Sequence, residues 1–455
     1  MYPNIIFLII DGLRADQFYG NNRTCKTPNI DSLIKNGIYY EQAVSSTDGT
    51  IVSLNTIFNS NFQVGNAAKY QKSVLNQNNL IDVLKKNGYH IYGIFPNLTS
   101  FNSLRQYFEN EKNSYDWIEP NIPPVSLPTG LATKIIQLLE SKEKQEPYFC
   151  YFHIFDLHSL REGKKPIGIE EFDDEEFGSS MYAKTISSID HWLGNILKKI
   201  DLEKTLLVIT SDHGERISFE NKSHLDFQPR FDSAVKAGRK YLPRSLHKVG
   251  GKFSGKVKNT IGRVKQSSSN VRLTSYQKRS RDPYFTLSLY DELIRVPLLF
   301  VGTSIKPRII AKQVRHVDIF PTIFELIDIP LDIRISGKSL VSATNEISEE
   351  EEPNYLHTMP YQKLSPLDRV GIRTSKYKYF RVSRDSKKNV NLYDLKNDPY
   401  ENNNITQTHK QLVARFENKI LKLQKDNLSE YEEKISDKEM QRISNELKRL
   451  GYIKD

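Results

Sequence analysis

The stretch from residue 4 to 14, NIIFLIIDGLR, constrains the fold more than any other. Six consecutive apolar residues closed by Asp11 and Gly12 make a strand buried on both faces, as in a mostly parallel sheet covered by helices. Asp11 then stands at the carboxyl end of that strand, the edge where open α/β sheets bind ligands. A carboxylate there suits a metal or a substrate better than it suits packing.

Three later runs repeat the pattern. Residues 90–95, HIYGIF, end at Pro96 and Asn97; PYFCYFHIFDLHSL carries His153, Asp156 and His158 at or just past a strand end; residues 205–210 end at Asp212 and His213. Strand side chains alternate faces, so His153 can point into a neighbouring helix, whereas Asp156 and His158 share a parity. A lone histidine in such a run is best read as a satisfied core group. Asp-His-Gly after a buried strand is harder to explain by packing, because it sets an oxygen beside an imidazole, a fitting pair for a divalent cation.

Between the strands, Pro28 and Asn29 open a helix that stops at Gly37, residues 80–88 form a short amphipathic helix, and residues 131–144 and the segment MYAKTISSIDHWLGNILKKI are helical by period. Gly49 precedes Thr50 and a mixed apolar run, so a helix opens at Thr50. A hydroxyl there either caps the helix or faces an oxyanion held by free backbone N–H groups.

Seven ordered segments resemble the sulfatase branch of the alkaline phosphatase superfamily: IIDGLRAD, TPNIDSL, HIFDLHS, SDHGE, LYDELIRVP, HVDIFPTIFEL, and RTSKYKYFR with NLYDLKNDPYENNN. The resemblance runs from end to end. It implies an alkaline-phosphatase-like three-layer α/β/α sandwich with a largely parallel central sheet, spanning 1–345, plus a small C-terminal α+β subdomain over 346–455. The acidic run EISEEEEP is the hinge, and VGIRTSKYKYFRVS and VNLYDL supply hairpin strands ahead of charged helices from His409.

True sulfatases carry C-x-P-S-R or S-x-P-S-R, whose first residue becomes formylglycine. Here TIVSLNTIFNS puts Thr50 in that place and Ser53 on the motif serine, with Val52 and Leu54 for the proline and arginine. Threonine cannot be converted, and a Thr nucleophile is similar to the superfamily's phosphodiesterases and head-group transferases, which implies a phosphothreonine intermediate. By the same resemblance Asp11, Asp212 and His213, with Thr50, hold one divalent cation (Ca, Mn, Zn or Mg). His158 contacts the transferred group or protonates the leaving oxygen, Asp156 orients it or binds metal, and Arg14 neutralises charge on Asp11 or the nucleophile. Gly12 replaces a second family aspartate. Phe285-Thr286 replaces a His-Gly pair, which argues for one metal; Lys222 or His224 could substitute, although His224 also reads as a surface histidine. Ser53, Asn97, Asp156, Lys222 and His224 complete the substrate-binding candidates. A catalytically silent relative that binds anionic glycan or lipid is the alternative reading.

The formal charge of +10 is uneven. Residues 230–281 hold 15 Lys and Arg against one acid, Asp232, a local +14 that leaves −4 for the rest. The insertion, bounded at 230–282, has apolar residues at helical spacing from Leu242 to Val264, which suits an interfacial helix on an anionic membrane. Gly250, Gly251, Gly255 and Gly262 oppose a helix, so a disordered basic loop stays open. Nucleic acid has less support, since only Tyr241, Phe253 and Tyr276 could stack on bases. No run of 18 apolar residues and no basic-flanked leader is present, and Cys25 and Cys150 lack metal-knuckle spacing; the expectation is a cytoplasmic protein, peripheral on the inner membrane face if the insertion binds lipid.

Overall fold

The computed structural model describes residues 2–21, 23–64, 73–116, 125–161, 165–216, 275–281, 288–302, 305–344, 351–359, 368–426 and 441–446. By compactness the chain divides into two units, residues 1–217 with 284–455, and residues 218–283. Within the second unit a helix runs over Ser275–Arg281, with the Arg279 guanidinium over the Tyr276 ring. The rest of the basic insertion, and with it Lys222 and His224, lies outside the described residues. Among the described residues no helix is long and apolar enough to cross a membrane.

The first unit is built on an eight-stranded sheet: β1 (Asn4–Ile10), β2 (Gly37–Val44), β3 (His90–Pro96), β4 (Ser114–Tyr115), β5 (Tyr148–Ile154), β6 (Thr205–Thr210), β7 (Arg295–Val301) and β8 (Arg308–Arg315), in the order β4-β3-β5-β1-β6-β7-β2-β8. All neighbours are parallel except those of β7, which runs against both β6 and β2. Every residue of β1, β5 and β6 is buried, as continuous apolar runs require when helices cover both faces. This is the expected α/β sandwich. The helix Thr50–Asn59 packs on one face, where Phe58 meets Phe7 edge-on at 6.2 Å.

A second, antiparallel sheet follows the main one: β9 (Asn354–His357), β10 (Arg369–Arg373), β11 (Tyr377–Val382) and β12 (Asn391–Asp394), ordered β12-β11-β10-β9. The helix Lys410–Asp426 lays Phe416 and Ile420 on its apolar face. Its tie to the large sheet is a buried charge network. Arg373, 1 % exposed, holds Asp291 through two hydrogen bonds of 2.9 and 2.7 Å and also donates to Gln313 of β8 and Gln42 of β2. Lys378, fully buried, bonds both Asp291 and Glu401. Burial opposes charge on Asp291, but Arg373 and Lys378 hold its carboxyl well below the usual range.

Removing one partner of such a network leaves the others charged and buried. Asp291→Ala should cost about 3–5 kcal/mol in chemical denaturation. A loss under 1 kcal/mol would show that the network does not hold the two sheets together.

Candidate active site

The sheet brings the site together at one edge. β1 and β6 are parallel neighbours paired Ile9 with Thr210, so the residues just past their ends, Asp11 and Asp212, meet there. Gly12 makes the turn after β1 at φ +70°, a left-handed conformation that favours glycine, and its N–H donates to Asp212 Oδ1 at 3.2 Å. Asp11, Asp212 and His213 are fully buried and offer ligand atoms all within 4.8 Å of one another, the one such cluster among the described residues. Thr50 Oγ1 donates to Asp11 Oδ2 at 3.1 Å and lies 3.4 Å from His213 Nε2.

The helix geometry settles what the Thr50 hydroxyl does. Gly49 is the N-cap and makes no side-chain cap, and Thr50 is the first helical residue. The Thr50 hydroxyl is turned to the cluster, where it meets Asp11 Oδ2. Gly49 is also required by space, since a Cβ there would run into Met359 Sδ.

Two adjacent buried carboxylates perturb each other. For Asp212, burial and then the charge of Asp11 push its pKa up. Burial presses Asp11 the same way, but His153, His158 and His213 hold it well below the usual carboxylate range. His213 Nδ1 donates to the Gly214 carbonyl at 2.7 Å, which leaves the lone pair of the imidazole on Nε2, facing the cluster. Among the described residues, Asp212 Oδ2 and His153 Nε2 are buried without a hydrogen-bond partner. A buried orphan carboxylate oxygen, a second carboxylate and an imidazole lone pair make a donor set that fits a divalent cation.

Other expected residues sit differently. The Arg14 guanidinium grips Asp16, two residues on, through Nε and Nη2 at 2.8 and 2.6 Å. Asp156 stands outside the Asp11–Asp212–His213 cluster. Its Oδ1 accepts from Leu127 N at 2.9 Å, and burial raises its carboxyl to about 7. His158 is buried with Nδ1 3.1 Å from Asp11 Oδ1, where it positions that carboxylate. Ser53 is fully buried, bonded inside the protein and out of reach of substrate. Asn97 is exposed and paired with Asp116 and Arg105.

Three contributors were missed. His153 stands 3.7 Å from Asp11 Oδ2, its Nδ1 on the Tyr151 hydroxyl at 2.7 Å. Asp48 accepts Met359 N and Ser288 N with its two oxygens and so ties the loop before Thr50 to two distant segments; burial raises it to about 6. His316 reaches Ser53. The sequence signal for His153 and Asp48 was position alone, a polar residue beside a strand end or a nucleophile.

Fold and site define a buried acid–imidazole cluster, fit for a divalent cation, at the carboxyl edge of a parallel sheet, with a hydroxyl on a helix start. The chain belongs to the sulfatase family, whose family model matches residues 3–329; that of the N-sulphoglucosamine sulphohydrolase C-terminal region matches residues 284–449. Arylsulfatase K of Homo sapiens is 29% identical over 146 residues, 30% of this chain and 27% of that protein. The choline-sulfatase of Rhizobium meliloti (strain 1021) is 31% identical over 130 residues, 28% of this chain and 24% of that protein. The match thus spans about a quarter of the length of these curated relatives. Among solved structures, a phosphonate monoester hydrolase of Agrobacterium radiobacter has a TM-score of 0.58 at 16% identity, covering 94% of this chain and 96% of that one. A 2-O GAG sulfatase has a TM-score of 0.60 at 16% identity, covering 97% and 96%. These two share the fold.

The position of Asp156 has a pH signature. Its proton stays on in the folded protein up to about pH 7, whereas the unfolded chain releases it near its ordinary value of 3.8. The stability this proton contributes is whole in acid and is lost as pH rises from about 4 to 7. Asp156→Asn should keep the Leu127 bond and gain on the parent protein over that window, by on the order of 1–3 kcal/mol, with cation affinity unchanged. Urea midpoints across pH and calorimetric metal titration check both; a lost cation would make Asp156 a ligand after all.

Proposed function

We propose that this protein is a metal-dependent hydrolase or transferase that cleaves a phosphate ester through Thr50. The carrying observation is the Thr50 hydroxyl, on the first residue of its helix and 3.1 Å from Asp11 of the cluster. Thr50 is also the reason for favouring phosphate over sulfate, because the formylglycine of true sulfatases is made from Cys or Ser. A divalent cation held by Asp11, Asp212 and His213 would supply Lewis acidity toward the hydroxyl and the ester oxygen.

The protein's own groups do the rest. Asp11 Oδ2 takes the hydroxyl hydrogen bond and fixes the direction of the oxygen lone pairs, His158 and His153 keep Asp11 in place, and the buried walls exclude water. The Thr50 oxygen attacks phosphorus as the P–O bond to the leaving group breaks, and the hydroxyl proton, passed through Asp11 Oδ2, leaves with the departing alcohol; water or a second alcohol then attacks the phosphothreonine and its proton returns to the Thr50 oxygen. The substrate we favour is a lipid-linked or glycan phosphoester at an anionic surface, a reading supported by the charge of residues 230–281.

Two experiments test this. Purified protein with Mn, Zn, Ca or Mg should turn over aryl phosphate diesters, monoesters or phosphonate monoesters faster than sulfate esters, and Thr50→Ala should lower kcat at least about 10³-fold at unchanged metal content. Equal inactivity of both proteins with every metal would favour a silent, anion-binding role; preferred sulfate turnover would overturn the phosphate assignment. Separately, the intact protein should sediment with anionic liposomes and a deletion of residues 233–280 should not, while absence of binding by the intact protein would remove the membrane reading.

A further inference from the structure

His316 opens a short turn, His316–Asp318, ahead of the helix Ile319–Leu326. Its side chain is fully buried, and no part of the sequence reading gave it a task. The ring Nδ1 lies 3.0 Å from Ser53 Oγ, and Ser53 Oγ is 2.5 Å from the Asp212 carbonyl oxygen. Ser53 is three residues after Thr50, one helical turn along, so a single hydroxyl joins the helix that carries the nucleophile to the loop that carries Asp212 and His213.

Counting hydrogens fixes the direction of these bonds. Ser53 has one hydroxyl hydrogen, and the carbonyl of Asp212 can only accept it. Neighbouring Ser45 gives its own hydrogen to the Thr47 carbonyl at 2.9 Å. The remaining donor for Ser53 is His316 Nδ1–H, so the ring is the neutral Nδ1–H tautomer. Burial agrees, pushing the imidazole down to about 3 against a backbone hydrogen bond with Ser211 that acts the other way, and among the described residues Nε2 makes no hydrogen bond of good geometry. The turn is itself anchored. Arg315 pairs with Asp318 at 2.6 Å, and Ser60, just past the far end of the same helix, donates to the Val317 carbonyl at 2.6 Å. Adjacent residues 316 and 317 therefore hold the nucleophile helix at two points, Ser53 and Ser60.

We propose that His316 is a positioning residue which, through Nδ1–H and the Ser53 hydroxyl, sets the spacing of Thr50 from Asp212 and His213 and so forms the cation site. The inference rests on the reading of that cluster as a cation centre. It assigns a donor role to one ring nitrogen, which makes it separable from a packing role. Asn at 316 places its Nδ2 at the branch that Nδ1 occupies and keeps the donor; Leu fills similar volume and removes it.

The test is Mn²⁺ titration by calorimetry on the full chain, with thermal unfolding of each variant alongside. His316→Leu should weaken Mn²⁺ about 10- to 100-fold, the range for groups that orient a metal ligand, and His316→Asn should stay within about threefold of the parent. Ser53→Ala, a smaller change that keeps the core filled, should weaken Mn²⁺ about tenfold on its own and abolish the difference between Leu and Asn at 316. Parent-like affinity of His316→Leu, or equal loss in Leu and Asn, overturns the role of His316 while leaving the cation centre intact. Should His316→Leu fail to fold, unaltered binding by Ser53→Ala overturns it instead. A parent protein that binds no Mn²⁺ overturns the cation reading itself, and the inference with it.

Discussion

Two carboxylates, Asp11 and Asp212, are buried side by side with no exposure to solvent, and most of the polar architecture nearby exists to tolerate them. A buried charge without a partner is costly, and a second like charge beside it is worse. The protein answers with groups drawn from across the chain: Gly12 N on Asp212, and His158 and His153 on Asp11. The parallel register of β1 and β6 makes this unavoidable, since strands paired side by side deliver whatever follows their last residues to the same place. Moving either carboxylate would mean re-registering the centre of the sheet.

What the sequence disclosed follows from the range of each signal. β1, β5 and β6 were readable because burial on both faces makes a continuous apolar run, a property of one segment. β2 was not, because Glu41 and Gln42 interrupt its run where the strand is only half-buried, and Gln42 belongs to the Arg373 network. The antiparallel direction of β7 leaves no local mark.

The site divides in the same way. Asp11, Asp212, His213 and Thr50 are each legible from a few neighbours, as polar groups after a strand end or at a helix start. Ser53 and His316 acquire meaning only from each other, across 263 positions. Asp156 and His158 part company for a definite reason. The parity linking them holds along an extended strand, but β5 ends at Ile154, and a turn closed by His158 N on the Phe155 carbonyl resets the directions. His158 swings to Asp11 while Asp156 swings to Leu127. The Arg14–Asp16 pair, two residues apart, carries no periodic signal that would separate it from the nearby cluster.

All ten residues of the helix Thr50–Asn59 are buried, so it cannot slide or rotate without unpacking the core around it. Asp48 fixes the segment before it and Ser60 the residue after it. A hydroxyl carried on so constrained an element has little freedom to lose, which is how fixed geometry would contribute to rate under the proposed mechanism. The same rigidity limits what the helix can contribute to recognition. Thr50 is 6% exposed, enough for one oxygen to meet one reacting atom and too little to read the rest of a molecule. Reaction type and substrate choice are thus separated in this fold: the buried strand ends and helix start determine the first, and the segments that rise beyond the sheet edge, where sequence can change without disturbing the core, determine the second.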